Sequence, residues 1–455
     1  MCCTSRSEVQ KLNSKKVKIA VSVLVALAIA VLSFTAGFFI ERYSADKALA
    51  SYKWALKTIR ENYYFGEPDI GYTQTSLRAI ADEYLDDYSE YYTKEEYAEV
   101  LKSNAGSKSG LGLSYAFVAG RGIYISRVVG NSPAYQSGLR AGDFVTSVKV
   151  QGGEETSLKS LDAFREVVSS LADGVEITLT AEDGNTYKMK KKEYTSSYTS
   201  LSTSSTGWFF GDSADGGLAL YKDAALRLSY LPEGCAYLRL DQFYGTATKE
   251  FYSLIEKFNA MQCTSLILDL RSNGGGYVSV MQDIAGSFAD GKSKLAMLSK
   301  NKNGGKEEFD CRKVTDANRR VKKSVKVFVL ANAGTASASE ALIGAMVCYG
   351  ALDYGNILLS QYSDEYINWQ YPRGTGVKNA RTFGKGIMQS YFTNGRTGEV
   401  LKLTTAQIYW PDKTTSIHDI GITLLNGCTA VQTDWEWTKG DKELQSAVEI
   451  IKTKI

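Results

Sequence analysis

The second half of this 455-residue chain predicts an α/β fold, and three observations carry that expectation. Short runs rich in Val, Ile and Leu alternate with longer segments whose apolar residues recur every three to four positions. That is the texture of a largely buried sheet joined by helices. Two of the apolar runs open into clusters of small residues immediately before a helical stretch, at Asn273-Gly274-Gly275-Gly276 and at Asn332-Ala333-Gly334-Thr335-Ala336-Ser337. The composition, 44% hydrophobic and 23% charged, excludes a wholly disordered chain. The length leaves room for about three domains.

Each element follows in order. Residues 19–40 carry no charge, and as a helix they would extend about 33 Å, enough for a hydrocarbon core. Arg6, Lys11, Lys15, Lys16 and Lys18 precede them with only Glu8 opposing. The positive-inside rule then puts residues 1–18 in the cytosol and everything after Glu41 outside. A cleaved signal peptide with Ala48-Leu49-Ala50 as its site is the alternative. The apolar run is long and that site stands well beyond it, so the expectation is a single-pass anchor in the cell membrane. Residues 41–104 read as helical, with helical spacing in Tyr52–Tyr63 and Tyr72–Leu85 and a capping pair at Thr93 and Glu96.

Residues 105–191 change to short β-like runs punctuated by glycine. Ile123–Val129, Phe144–Val150 and Val175–Thr180 read as strands, with a helix predicted over Leu161–Leu171. Residues 194–206 hold ten Ser or Thr in thirteen positions, so the 192–233 stretch reads as a linker or an exposed strand outside any core. From 234 to 455 strand and helix alternate. Cys235–Phe243, Ser265–Leu270 and Val325–Ala331 are the strands; Thr246–Met261, Tyr277–Ala289 and Ser337–Tyr349 are the helices.

Composition also narrows the chemistry. His418 is the one histidine, so no HExxH, three-histidine or Cys₂His₂ metal site can be written, and a Ser-His-Asp triad is open only with His418 as its middle member. Lys+Arg 53 against Asp+Glu 50 is too balanced to make nucleic acid the main partner. The seven cysteines form no C-x-x-C and no dense disulfide framework. No metal and no cofactor is expected.

Three constellations could carry hydrolytic chemistry. In Asn332-Ala333-Gly334-Thr335-Ala336-Ser337-Ala338-Ser339-Glu340 a serine stands at a helix N-terminus, where free N–H groups and the dipole can stabilise an oxyanion; Ser337 or Ser339 could equally be a plain helix cap. In Leu268-Asp269-Leu270-Arg271-Ser272-Asn273-Gly274-Gly275-Gly276 consecutive glycines leave backbone N–H groups uncovered, or merely make a turn. In Thr382-Phe383-Gly384-Lys385-Gly386-Ile387-Met388-Gln389 a lysine sits between glycines. Buried, it would lose charge and could serve as a base; exposed, it is a turn residue.

Together and in this order, the three motifs resemble those of the C-terminal processing peptidases (tail-specific proteases) of the Ser-Lys type. The resemblance runs from Leu85-Asp86-Asp87-Tyr88-Ser89-Glu90-Tyr91 to Ile417-His418-Asp419-Ile420-Gly421-Ile422. It passes through Gly110-Leu111-Gly112-Leu113 and Ser132-Pro133-Ala134, which are similar to a PDZ carboxylate loop and its helix region. It implies a ClpP/crotonase-like core with an inserted PDZ domain, Ser337 as nucleophile, Lys385 as general base and Gln389 orienting that lysine. It further implies oxyanion donors at the N–H groups of Ala338 and Gly275, and peptide C-termini bound at Gly110, Leu111, Gly112 and Leu113. The implied partners are proteins or peptides with accessible C-termini and the membrane through residues 19–40, with homo-oligomerisation open. Two features depart from the pattern. Cys348 stands eleven positions after Ser337, where some members have an Asp. The Ser337-to-Lys385 spacing is also longer than usual, with the excess near 360–378. A non-catalytic peptide-binding or scaffold protein of the same fold is therefore the rival expectation.

Overall fold

The structure is a computed structural model, and it describes residue 33 and residues 50–66, 77–211, 218–221, 228–363, 379–433 and 441–455. The 19–40 stretch, apart from Ser33, lies outside the described residues, as does 364–378 of the expected insertion. Among the described residues no helix is long and apolar enough to cross a membrane.

The chain divides into two compact units, residues 1–94 with 391–403 and residues 95–390 with 404–455. In the first unit, a helix over 50–62 and the helix Leu77–Tyr84 bury Ala55, Ile59 and Ile80 with Leu401 and Leu403. The short strand Glu90–Tyr92 pairs antiparallel with residues 400–402.

The second unit holds the larger core. Its eight-stranded sheet runs in the order Leu218–Tyr221, Trp208–Gly211, Thr199–Thr203, Cys235–Leu240, Ser265–Asp269, Lys326–Ala331, Ile357–Tyr362, Thr429–Thr433. The last five are parallel. Alternation along each strand decides what covers each face. Ala236, Leu238, Leu266, Leu268, Val327 and Val329 meet the helices Ala247–Ala260, Val278–Gly286 and Ala338–Tyr349. Cys235, Tyr237, Ile267, Phe328 and Leu330 meet the C-terminal helix Lys442–Lys452 through Leu444, Ala447, Val448 and Ile451. The strand-helix alternation expected from the sequence is thus present, with ends shifted by one to three residues.

The Ser/Thr-rich stretch corrects the expectation made for it. Thr199–Thr203 is a fully buried strand inside this sheet, not a linker outside the core. The buried Glu250 makes that tolerable. Its Oε2 accepts from the N–H groups of Tyr198 (2.8 Å) and Thr199 (3.0 Å) and from the hydroxyls of Ser197 (3.1 Å) and Thr199 (3.0 Å). Polar side chains with satisfied partners can enter a core that their hydropathy alone would deny them.

Residues 107–195 form a smaller β-rich body within the same unit. Leu113–Val118, Gly122–Val128, Phe144–Val150, Glu176–Ala181 and Thr186–Lys190 make an antiparallel sheet in that order. The helix Leu161–Ser170 places Phe164 in its core. Entry and exit are closed by pairing Ser107–Gly110 with Lys192–Thr195, so the body extends slightly past the expected boundary at 191.

A buried ion network joins the C-terminal helix to the sheet. Arg271 donates to Asp269 (Nη2 to Oδ2, 2.6 Å) and bidentately to Asp441, the cap residue of the C-terminal helix (2.6 and 3.1 Å). Burial works against the Asp269 carboxylate, but the guanidinium groups of Arg271 and Arg239 outweigh it and hold its pKa at about 2. Removing Arg271 leaves this charge short of partners in the interior. Arg271→Ala should therefore cost about 3 kcal/mol or more of stability. Chemical denaturation checks it, and a loss under about 1 kcal/mol would show that the network holds little.

Candidate active site

Two adjacent parallel strands, Ser265–Asp269 and Lys326–Ala331, end side by side, and the loops that leave them build the site. Carboxyl ends of parallel strands are where such sheets leave a crevice. The loops are knitted by side chains that replace a missing ladder. Asn332 Oδ1 accepts from the N–H groups of Ser272 (2.8 Å) and Gly334 (3.0 Å). Thr335 Oγ1 donates to the Leu270 carbonyl (2.7 Å), and the Asn273 carbonyl accepts from the Ala336 N–H and the Ser339 hydroxyl, both at 2.9 Å. Ser339 is therefore a tie between loops, not a helix cap.

Ser337 stands at the head of the helix Ala338–Tyr349, half-buried, with φ 57° and ψ −117°. An ordinary N-cap is extended; this backbone is in a region that non-glycine residues rarely occupy, and such strain persists only where the surroundings over-determine it. A sharp strand-to-helix turn of this kind presents a side chain above the helix N-terminus. The Ala338 N–H, first in the helix, has no acceptor among the described residues and lies at the positive end of the helix dipole.

Glu340, one turn into the same helix, is buried and gathers four donors. Its Oε2 accepts from the N–H groups of Ser337 (2.9 Å) and Lys385 (3.0 Å). Its Oε1 accepts from the Gly384 N–H (2.9 Å) and the Thr382 hydroxyl (2.5 Å). One oxygen shared by the two nitrogens keeps the backbones of Ser337 and Lys385 within about 6 Å of each other. The Phe383 N–H adds a further tie to the Thr335 carbonyl (2.9 Å). Burial pushes the Glu340 pKa up to about 7 against the opposing pull of Thr382 and the three backbone N–H groups.

The lysine segment is gripped from its other side by 417–422. The Asp419 N–H donates to the Gly384 carbonyl (2.9 Å) and the Thr382 N–H to the Ile422 carbonyl (3.0 Å). A Cβ at Gly386 would fall 2.6 Å from the His418 nitrogen, so glycine there lets two backbones touch. His418 enters this arrangement through its backbone, with its Nε2 3.6 Å from Asp419 Oδ2. Gln389 lies on the next strand, Ile387–Thr393, and its Nε2 donates to Thr404 Oγ1 (3.1 Å), leaving Oε1 as its acceptor.

Of the residues singled out from sequence, Ser337, Ala338, Lys385 and Gly275 are thus brought to one place, with one difference. Gly275 packs directly on the Ser337 turn: an added Cβ would lie 2.9 Å from both the Ala338 nitrogen and Ser337 Cβ. Its N–H, however, donates to Asn273 Oδ1 (2.9 Å), so in this conformation Gly275 does not offer the oxyanion donor expected of it. Sequence reasoning missed Glu340, Thr382 and Asn273. The Ser-x-x-Glu spacing of a capping box was the available signal for Glu340.

Gly110, Leu111, Gly112 and Leu113 lie together at the start of the edge strand Leu113–Val118, away from these loops in sequence. The carbonyls of Leu111 and Gly112 accept from Ala134 (2.9 Å) and Val129 (2.8 Å), while the N–H groups of Leu111 and Gly112 have no acceptor among the described residues. The far edge of Leu113–Val118 is likewise unpaired among the described residues.

Residues 234–352 match the model of peptidase family S41. Over those residues the chain is similar to peptidase family S41. The match spans Gly275, Ser337 and Glu340 and ends before Lys385. A relative from Staphylococcus epidermidis RP62A, named "Probable CtpA-like serine protease", is 26% identical over 365 residues, 80% of this chain. This chain covers 62% of that relative's length. A protein of the same name from Staphylococcus aureus RF122 is 24% identical over 426 residues, covering 90% of this chain and 73% of the relative. A crystal structure of a candidate S41 protease from Bacteroides fragilis aligns over 88% of this chain and 97% of its own, with a TM-score of 0.55 and 14% identity, a likeness of fold.

Two outcomes test this geometry. Gly275→Ala, at φ 98° and 2.9 Å from the Ala338 nitrogen, should lower stability measurably and, in the protein that remains folded, cut reaction of Ser337 with a serine-directed probe about a hundredfold, since the new methyl displaces the Ser337 turn; an unchanged rate would mean the turn has slack. Glu340 titrates above the 4.5 of an exposed glutamate, so its contribution to stability is fullest below pH 4.5 and is lost as pH rises through 7. Wild type should therefore lose up to about 3 kcal/mol relative to Glu340→Gln across that window. Unfolding curves at stepped pH read the difference, and a pH-independent gap contradicts it.

Proposed function

We propose that this chain is a membrane-anchored serine endopeptidase that acts outside the cytoplasmic membrane on proteins or their C-terminal tails. The observation that carries the reading is the single Glu340 oxygen that accepts from both Ser337 and Lys385. Ser337 Oγ attacks the scissile carbonyl while the neutral amine of Lys385 takes its proton. The Ala338 N–H, at the helix N-terminus, faces the developing oxyanion. The C–N bond then breaks, the proton passes to the leaving amine, and water releases the acyl group from Ser337. Gln389 Oε1 is the acceptor that could hold the lysine. The relatives named as CtpA-like serine proteases support the activity.

Capture of the substrate falls to the β-rich body, read as a PDZ domain. The N–H groups of Leu111 and Gly112, without an acceptor among the described residues, suit a terminal carboxylate, and the edge of Leu113–Val118, unpaired among the described residues, suits an added peptide strand. Residues 19–40 supply the anchor, with the N-terminus cytoplasmic.

Full-length protein in lipid nanodiscs should cleave an unfolded, tail-bearing substrate, resist chelators and be labelled by a fluorophosphonate. Ser337→Ala and Lys385→Arg should each lose about a thousandfold or more, the latter because guanidinium stays protonated. Cleavage retained in Ser337→Ala, with contaminating protease excluded, overturns the proposal. The Gly275 N–H bonded to Asn273 favours a second reading, a non-catalytic peptide binder of the same fold. Calorimetric binding of a tail peptide without labelling of Ser337 would select it.

A further inference from the structure

The glycine loop beside Ser337 is anchored on both sides of a single peptide. On one side Asn273 is fully buried and fully used. Its N–H donates to the Leu270 carbonyl (3.1 Å), and its own carbonyl accepts from the Ala336 N–H and the Ser339 hydroxyl, both at 2.9 Å. Its side-chain Nδ2 donates to the Leu240 carbonyl (2.8 Å). That acceptor fixes which way the amide faces, so Oδ1 is the atom turned to the Gly275 N–H (2.9 Å). On the other side the Gly275 carbonyl accepts from the Phe243 N–H (3.0 Å), and the Tyr277 N–H donates to the Phe243 carbonyl (2.8 Å). Between these anchors, the peptide joining Gly274 to Gly275 is held by the Asn273 bond. The Gly274 carbonyl meets no donor among the described residues, and a Cβ on Gly274 would meet nothing within 4 Å.

Stereochemistry decides which way this peptide points. Gly275 has φ 98°. At that angle a planar peptide turns its N–H nearly opposite to the Cβ position about the N–Cα bond. The Cβ position is the side that faces the site, 2.9 Å from the Ala338 nitrogen and from Ser337 Cβ. The N–H therefore points away from Ser337. A half-turn of the 274–275 peptide takes φ of Gly275 to about −80° and swings the N–H onto the Ser337 side, beside the Ala338 N–H. This is the change in φ that separates type II from type I turns at their third residue. It leaves both anchors in place, and glycine at both ends of the rotating peptide removes the Cβ clashes that would oppose it.

We propose that the 274–275 peptide is a switch: at rest Asn273 holds the Gly275 N–H off the site, and a substrate carbonyl bound over Ser337 draws it round to complete the oxyanion hole with Ala338. Asn273 is then a positioning residue that acts through Gly275. The switch rests on the serine-peptidase reading above and adds to it a resting state with one oxyanion donor in place. The Gly275 N–H leaves a neutral amide oxygen for one that becomes negative as Ser337 adds to the carbonyl carbon. A hydrogen bond to the charged acceptor is the stronger of the two. Once the acyl group has left, no charged oxygen competes, and the Asn273 bond forms again.

Crystal structures of the full chain before and after labelling by a fluorophosphonate read the switch directly, because the phosphoryl oxygen of the adduct occupies the oxyanion position. The free protein should keep the Gly275 N–H on Asn273. The Ser337 adduct should show φ of Gly275 at about −80°, with the N–H groups of Gly275 and Ala338 on one phosphoryl oxygen. Asn273→Ala, assayed in lipid nanodiscs on a tail-bearing peptide, should raise kcat about fivefold, the worth of one neutral hydrogen bond, and leave KM within about twofold. A merely structural Asn273 would lower kcat instead. An adduct that leaves the Gly275 N–H on Asn273 overturns the switch, and so does a folded Asn273→Ala whose kcat is at or below that of wild type. The wild-type structures decide the matter however well the variant folds. A Ser337 that takes no label, in a protein that cleaves nothing, removes the peptidase reading and the switch with it.

Discussion

One buried carboxylate sets the geometry of the site. Glu340 enters the core at the first turn of its helix and cannot remain there without donors around it. It recruits them from both sides of the site: the backbone of Ser337 on its own turn, and the hydroxyl and N–H groups of Thr382, Gly384 and Lys385 on a segment more than forty residues away. The requirement to satisfy one desolvated acid thereby becomes a requirement that the backbones of Ser337 and Lys385 lie together. It also supports the strained Ser337 backbone, whose N–H is held where an ordinary cap would let it turn.

The same device recurs around the central sheet. Glu250 lets a Ser/Thr-rich segment lie inside the central sheet by accepting from its backbone and hydroxyls. Asp269, at the end of the strand that opens into the glycine loop, is held by Arg271 and Arg239, and Arg271 fastens the C-terminal helix across the opposite face. In each case hydrophobic alternation builds the layers, and a buried acid locks one loop or edge to its neighbour. The layers supply most of the burial; the acids decide which loop ends meet.

The alternating strands and helices from Cys235 to Tyr349 were legible because period-two and period-3.6 patterns are written locally. The glycine loop and the serine turn were legible for a similar reason, since small residues before a helix mark close backbone approach. What stayed hidden was what depends on distant partners. Nothing local in YTSSYTSLSTSST announces a buried strand; its stability comes from Glu250, some fifty residues on. Glu340 stood inside a motif already singled out, yet its role needed Lys385 beside it in space. The Gly275 N–H could be counted as an oxyanion donor from sequence because the competing acceptor, Asn273 Oδ1, becomes visible only when the loop is folded.

A crystal structure of the full chain after reaction with a peptide boronate, a mimic of the tetrahedral intermediate, tests most directly that Ser337 and Lys385 act as one unit. The account predicts boron bonded to Ser337 Oγ, one boronate oxygen on the Ala338 N–H, and Lys385 Nζ within hydrogen-bond distance of Ser337 Oγ. A boronate bound elsewhere, or Lys385 turned to solvent with Ser337 modified, would contradict it.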